Sequence, residues 1–422
     1  MLNLDFICQH PDIVRDALRK RHDGRNIDDI LRLAEQRRGL ITRSDGLYLS
    51  LKKLKETIRS LPIEKRTAHN VHIKAVTEDI RQLELQCSDI DTRLHLLLLN
   101  LPNIPHPGVL ADDDSTVGAE VRRWGEPFPF HAEPQPHWQL GERLGIIDSE
   151  GGAKVAGSKF VTLKGAGARL ERALISLMLD IHTHKHGYLE VMPPQLVKRS
   201  VMIGSGQLPK FEDQSYACTE DELYLNPTAE VPLVGMYSDT VLPQEALPVR
   251  NVAWTTAFRR ESGSTSRQKR GLLRLHQFNK IELFQIVEPE RSYETLEQML
   301  QHAESILQHL ELSYRVVALS ASQLPFTSAK TFDIEVWMPA MENFLEVSSV
   351  SNCETFQSQR AGIKYRQSSS ARAAYVHTLN ASGLAVGRTM AAILENYQQA
   401  DGSVVVPKVL RPFMGTSLLA PL

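Results

Sequence analysis

The chain of 422 residues has four cysteines, Cys8, Cys87, Cys218 and Cys353, and no two of them are spaced as a CxxC pair. Thiols scattered in this way imply neither a disulfide framework nor a zinc site, and they read as reduced thiols in a reducing compartment. Excess charge of one sign is also missing: 48 Lys and Arg stand against 50 Asp and Glu, a formal net charge of −2. Any nucleic acid would have to be met by a local patch, not by a global field. No apolar run approaches the ~20 residues that cross a bilayer. The start, MLNLDFICQHPDIVRDALRKR, carries Asp5 where a signal peptide needs an apolar core. A cytoplasmic protein with no membrane partner is expected. The rest of the composition, 42% hydrophobic and 23% charged, is that of an ordinary globular chain long enough for two domains.

Glycine and proline are nearly absent between Ile27 and Leu101, and there a helical period takes over. Leu33, Leu40, Leu47, Leu54 and Leu61 recur every seventh residue, with Ile30, Leu51 and Ile58 filling most of the second seam position. Pro62 breaks the helix. The pattern resumes with Ile73, Val76, Ile80, Leu83, Cys87, Ile90, Leu94, Leu97 and Leu101. Two heptad helices joined at a proline predict an antiparallel coiled-coil hairpin, each helix roughly 50 Å long. So thin a structure has little core of its own and is expected to project as an arm. Arg37 and Ser44 occupy seam positions and weaken the first helix locally. Its basic side chains, with those of the turn (Arg32, Arg37, Arg38, Arg43, Lys52, Lys53, Lys55, Arg59, Lys65 and Arg66), favour a polyanionic partner. Periodicity alone is equally compatible with a dimerisation coiled coil or a spacer.

The Pro-rich stretch NLPNIPHPGV, Asn100 to Val109, marks a boundary between residues 1–105 and 106–422. Beyond it, Leu170, Leu174, Leu177, Met178 and Ile181 predict an amphipathic helix ending at Gly187. Strand patterns recur at Val249–Glu261, Leu272–Val287, Thr331–Met338 and Phe344–Ser349, and a last helix begins near Leu384. Strands returning through polar turns imply an α+β class, an antiparallel sheet flanked by helices. Two weaker motifs carry little. KGAGARL, from Lys164, lacks the third glycine of a dinucleotide fingerprint. HTHKH sets His182 and His186 four apart on one helical face with no third ligand nearby in sequence, and cationic side chains suit a helix C-terminus.

The stretch AFRRESGSTSRQKRGLLRLHQFNKIELF, Ala257 to Phe284, is the most informative. Alternate strand residues share a face, so Arg259 and Glu261 point one way. On the return strand Arg274, His276, Phe278, Lys280 and Glu282 share one face, with Leu273, Leu275, Ile281 and Leu283 on the other. An aromatic ring among guanidinium and carboxylate groups fits the floor of a site for an anionic aromatic ligand: guanidinium for phosphate, ring for a base, carboxylate for an amine. A nucleotide together with an amino acid satisfies all three. NPTAEVPL would set Thr228 and Glu230 on one side of an extended segment. LEVSSVSN would set Glu346 and Ser348 likewise, oxygen ligands for Mg²⁺ beside a triphosphate. LNASGLAVGRTMAAILENY reads as a strand, a Ser-Gly turn and a helix with Arg388 about one turn in.

Together with the opening LDF…HPDIVRDAL, GYLEVMPPQLV, GQLPKF and the closing HTLNASGLAVGRTMAAILENYQQADGSVVVPKVLRPFM, these pieces resemble the bacterial-type seryl-tRNA synthetases nearly end to end. That family belongs to the class II aminoacyl-tRNA synthetases. The resemblance implies an antiparallel catalytic sheet preceded by a tRNA-binding coiled-coil arm, and a homodimer formed around Pro194. It implies a serine site of Thr228, Ala229, Glu230, Glu282 and Ser382. ATP would be held by Arg259, Arg260, Glu261, Phe278, Arg388 and Glu346, Val347, Ser348 and Ser349, with Glu346 and Ser349 binding Mg²⁺. Arg259, Glu282 and Arg388 would carry the chemistry. Serine and ATP would give seryl-adenylate, and the seryl group would then pass to tRNA(Ser), or to tRNA(Sec) where present. Val350, Ala381 and Ser266 depart from the family's usual Cys, Gly and Gly. The alternative, a synthetase-derived protein that binds RNA or a partner without aminoacylating, predicts loss of Arg259, Glu282 or Arg388, and all three are present.

Overall fold

The computed structural model describes residues 1–60, 66–111, 118–130, 133–262, 270–368 and 370–421. Leu61, Pro62, Lys65 and Ser266 lie outside the described residues. The chain divides into two compact units, Met1–Pro102 and Asn103–Leu422.

The first unit is helical. Helix α1 (Leu4–Gln9) is capped by Asn3, whose Oδ1 accepts from the amides of Asp5 at 2.8 Å and Phe6 at 3.2 Å. Helix α2 (Pro11–Lys20) opens on Pro11, where a missing N–H costs nothing. Helices α3 (Asp28–Ser60) and α4 (Arg66–Asn100) pack along their length. Ile30, Leu33 and Leu51 are buried from one side, and Val76, Ile80, Leu83, Ile90 and Leu94 from the other.

The expected seam needs correction near its end. Leu98 is 5% exposed, whereas Leu97 is 36% exposed. A straight helix of 3.6 residues per turn drifts ~20° per heptad against a strict seven-residue repeat. Three heptads beyond Ile73 that drift has carried Leu98 into the seam. The polar seam residue is also not simply a defect: Arg37 Nε donates to Asp91 Oδ1 at 2.5 Å, linking the two helices. Nearer the turn Tyr48 Oη donates to Glu84 at 2.6 Å.

The second unit is built on an eight-stranded sheet. Its strands are β1 (Ala119–Trp124), β2 (Leu189–Glu190), β3 (Val249–Phe258), β4 (Gln277–Val287), β5 (Tyr314–Ala318), β6 (Lys330–Met338), β7 (Asn343–Glu354) and β8 (His377–Ala385). The order across the sheet is β1-β5-β6-β7-β8-β4-β3-β2. Only the edge strand β2 runs parallel to its neighbour. Helices α5 (Ala166–His184), α7 (Ser292–His309) and α8 (Val386–Asn396) pack against the sheet, and the short α6 (Glu230–Gly235) lies against β4. The core joins Leu174 and Met178 of α5, Leu296 and Met299 of α7 and Met390 of α8 to Ile281, Leu283, Ile334 and Val350 of the strands.

Several boundaries differ from the sequence expectation. Helix α5 ends at His184, and Gly187 lies beyond it with φ +69°. Strand β3 stops at Phe258 and β4 starts only at Gln277. The backbone N–H of Leu272 is captured by His137 Nε2 at 3.2 Å, and His137 is itself held by Glu395 at 2.8 Å. A partner 135 residues away thus pulls the apolar run out of the strand. Short-range alternation cannot foresee that. The Ser382–Gly383 pair is not a turn; both residues lie inside β8.

Candidate active site

A cavity of about 680 Å³ opens on the face where β6, β7, β8 and β4 lie side by side. Register decides which side chains reach that face. Ser382 lies opposite Glu282, Asn380 opposite Ser351, and Ser349 opposite Asp333. Two bulges adjust the alternation. Gly383 is the extra residue against the Ile281–Glu282 step, and Val347 is extra against the Ile334–Glu335 step. The Val347 bulge corrects the expected pairing of Glu346 with Ser348. Glu346 instead shares a face with Ser349, while Ser348 turns away and donates Oγ to the Ser382 carbonyl at 2.6 Å.

One end of the site is small and polar. Thr228 and Glu230 are not extended, because Glu230 begins α6 and Ala229 is already helical. Pro232 in that first turn costs no hydrogen bond, which is why the segment can coil. Thr228 Oγ1 donates to Glu282 Oε2 at 2.8 Å and accepts from Lys280 Nζ at 3.0 Å. Lys280 also forms an ion pair with the same Glu282 oxygen. Glu282 is fully buried, yet its Oε1 has no hydrogen-bond partner among the described residues. Burying such an acceptor unpaired is costly. Neither Glu282 nor Thr228 is on the cavity wall; both lie beside Glu230, Lys280 and Ser382, which are. Glu230 accepts from Gln357 Nε2, which also donates to the Ser205 carbonyl at 3.0 Å. Burial, reinforced by the charge of Glu282, pushes the Glu230 carboxyl up to about 7, against the opposing pull of Lys280. Ala229 sits in a small core with Leu233 and Phe284, off the cavity wall.

The other end is cationic and aromatic. The Arg259 guanidinium lies 5.3 Å from the centre of the Phe278 ring, and its Nε donates to the Pro227 carbonyl at 3.2 Å. Burial lowers its pKa, so an anion arriving there would meet a poorly hydrated charge. Glu261 reaches the wall by leaving the strand: it has φ +49° and forms an ion pair with Arg274. Leu273 and Leu275 also line the wall, which corrects their assignment to the opposite face. His276 is not on the wall; its Nδ1 donates to the Arg259 carbonyl at 2.9 Å and braces the turn. Arg260 is not on it either, with its guanidinium over Tyr216 and its Nε on the Ser215 carbonyl at 2.9 Å. Arg388, the third residue of α8, donates to the Glu346 carbonyl at 2.7 Å and the Leu273 carbonyl at 3.3 Å.

Between the two ends lie oxygen donors. Asp333 Oδ1 has no hydrogen-bond partner among the described residues, and burial with Glu346 and Glu335 nearby pushes the carboxyl up to about 7. Such a group gains from a cation beside it. Among the described residues no three His, Cys, Asp or Glu side chains are grouped to hold a metal by themselves. Glu346 and Ser349 both line the cavity beside Asp333, hard oxygen donors of the kind that suit an Mg²⁺ completed by phosphate oxygens.

Lys280, Asp333 and Asn380 line the cavity, and Gln357 holds Glu230 from behind it; none of the four has an assigned role in the sequence. For Lys280 and Asp333 the signal was present: each is a charge on the polar alternation of an otherwise apolar strand. Gln357 had none, since it arrives from a separate helix. The departures Val350 and Ala381 prove to be cross-strand partners, fully buried and away from the cavity. They alter the core and leave the polar face intact.

Comparisons with known proteins bear on the family and the fold. The family described as Seryl-tRNA synthetase N-terminal domain matches residues 1–105, and that described as tRNA synthetase class II core domain (G, H, P, S and T) matches residues 210–397. The chain is similar to the serine–tRNA ligase of Carboxydothermus hydrogenoformans, 47% identical over 98% of both chains. That of Thermomicrobium roseum is 48% identical over 98% of this chain and 94% of its own. Among solved structures, seryl-tRNA synthetase from Pyrococcus horikoshii complexed with ATP superposes with a TM-score of 0.95, at 33% identity and full coverage of both chains. A cytoplasmic serine–tRNA ligase from Naegleria fowleri in complex with AMP gives 0.83 at 28% identity, covering 100% of this chain and 99% of its own.

Proposed function

The chain belongs to the seryl-tRNA synthetase family, class II ligases that join serine to tRNA, and on that premise we propose how its cavity divides the work. The serine side chain enters the polar end, where its hydroxyl pairs with the open Oε1 of Glu282. Lys280 and Thr228 hold the other oxygen, so the carboxylate is aimed before the ligand arrives. The serine ammonium goes to Glu230 and Thr228, with Ser382 closing the floor opposite Glu282. Adenine stacks on Phe278, the neighbouring Arg259 reaches for the α-phosphate, and Glu261 meets the nucleotide from the same wall. Arg388, fixed by two backbone carbonyls, faces the terminal phosphates.

The reaction so arranged is attack of the serine carboxylate on the α-phosphate, with pyrophosphate leaving. It needs alignment and neutralisation of charge more than a protein base, and Arg259 and Arg388 supply a preorganised positive field. Mg²⁺ held by Glu346 and Ser349 would add charge neutralisation on the phosphates. The seryl group then passes to tRNA(Ser), and to tRNA(Sec) where it exists, with the two-helix arm gripping the RNA. Exposed Leu189, Met192 and Leu196, at 67%, 82% and 45%, suit a homodimer surface. No helix among the described residues is long and apolar enough to cross a membrane, and a cytoplasmic location is part of the proposal.

The open Oε1 of buried Glu282 is the observation that carries this reading. Glu282→Ala should abolish serine-dependent ATP–pyrophosphate exchange while leaving the circular dichroism spectrum and melting transition in place. Near-normal exchange from a folded Glu282→Ala protein would remove Glu282 from the site.

A further inference from the structure

The HTHKH motif, which the reaction does not use, lies behind the serine pocket. His182 is fully buried at the end of α5, and its Nε2 sits 3.2 Å from the carbonyl oxygen of Gly383. A carbonyl only accepts, so Nε2 carries the proton and donates. Its Nδ1 lies 3.0 Å from Nδ1 of His186, which must then be the donor of that pair. Burial holds both rings neutral, His182 at about 3 and His186 at about 4, so this tautomer pattern persists at neutral pH. His186 in turn stacks on His302 of α7, with ring centres 4.2 Å apart. His302 Nδ1 shares a hydrogen bond of 3.1 Å with the hydroxyl of Tyr188, and Gln285 of β4 donates to that hydroxyl at 2.7 Å. The chain of contacts leaves β8 at Gly383 and returns to β4 at Gln285.

Gly383 is the bulged residue that lets Ser382 fall opposite Glu282. A bulge is an irregular piece of ladder that needs outside support to keep one geometry. The fit against His182 is close: a Cβ on Gly383 would come within 3.0 Å of both His182 Nε2 and Ile281 Cγ2. We propose that His182 is a positioning residue for serine recognition, holding the Gly383 bulge through its Nε2–H so that Ser382 faces Glu282, with His186 fixing the required tautomer. The proposal rests on the reading of Ser382 and Glu282 as the serine pocket. It extends that reading to a residue with no place on the cavity wall. A metal role for the same histidines is not supported, because no three metal-binding side chains are grouped to hold an ion among the described residues.

The test is exchange kinetics on the full chain, with KM for serine and for ATP measured separately. His182→Phe keeps the ring and removes the donor; it should raise the serine KM about tenfold, as for an unsatisfied buried polar group, with the ATP KM changed less than about twofold. His182→Gln, whose amide can still donate to Gly383, should recover most of that loss. His186→Leu removes the group that sets the tautomer, together with its stacking on His302, at a half-buried position, and should raise the serine KM about threefold. It stands in should His182→Phe fail to fold. Ser382→Ala in the same assay separates this proposal from the reading beneath it. If Ser382→Ala raises the serine KM while folded His182→Phe and His186→Leu do not, the positioning role falls alone. If Ser382→Ala has no effect, both fall. Equal rises in serine and ATP KM would mark His182 as a general packing residue and also overturn the proposal.

Discussion

At the scale of single residues, the site is a set of partly satisfied groups whose missing partners describe the substrate. Glu230 is the most testable after Glu282. Its folded-state carboxyl titrates near 7, above the ordinary carboxylate range, because burial and Glu282 disfavour its charge. The folded chain therefore keeps a proton that the unfolded chain has already lost between the ordinary range and about pH 7. The contribution to stability is fullest below that window and declines as pH rises through it. Serine binding reverses the preference, since an ammonium wants the ionised form. The serine KM should accordingly fall as pH rises from 6 to 8, with its midpoint near 7. In Glu230→Gln it should be higher and lose that inflection. A wild-type profile flat over the same range, measured by exchange, would count against Glu230 as the ammonium partner. Residues of this kind are legible where a charge interrupts an apolar run, as Glu282 does, or where an aromatic ring stands among charges, as Phe278 does. They were not legible where the chain turned unexpectedly: Arg260 reads like Arg259 in sequence, but its guanidinium goes to Tyr216.

Secondary-structure elements were legible in type and less so in detail. The seven-residue repeat gave both arm helices, because a long amphipathic period has no competing explanation. It missed the crossover from Leu97 to Leu98, which depends on accumulated helix drift. The sheet strands were found at their centres. Their ends were fixed by remote contacts such as His137 on Leu272, and their faces by the bulges at Val347 and Gly383. The arm offers a clean test at this scale. Leu51, Val76 and Ile80 form a small buried cluster flanked by Leu47 and Ile73. Ile80→Ala should destabilise the outer arm by about 2 kcal/mol, the low end for such truncations where neighbours can relax. Helicity near 222 nm should melt earlier and tRNA charging should weaken, with serine-dependent exchange unchanged. A matching loss of exchange would mean that the cluster supports the catalytic unit as well.

For the whole molecule, the division into two units implies a division of labour, since every residue proposed for serine activation lies in Asn103–Leu422. Replacing the outer arm with a short turn should leave exchange within about twofold of the intact protein and strongly reduce tRNA charging. The intact protein should also show the steeper fall of tRNA affinity with salt, because phosphate contacts release counterions. Oligomeric mass measured on the same variant decides between RNA binding and dimerisation as the task of the arm: a monomer without exchange activity would favour dimerisation. The sheet order carries a consequence of a different kind, for synthesis in the cell. Strand β8 is the last of the sheet in sequence, yet it sits between β7 and β4 near the middle. Until Ala385 has left the ribosome, β2–β3–β4 and β1–β5–β6–β7 are separate ribbons, each with its inner edge open, and Glu282 has no Ser382 to face. The helical first unit, rich in local contacts, can be complete long before then. A chain stopped short of His377 should therefore display a protease-resistant arm beside an aggregation-prone remainder. The nascent enzyme passes its most vulnerable moment only when a single late strand zips two half-sheets into one.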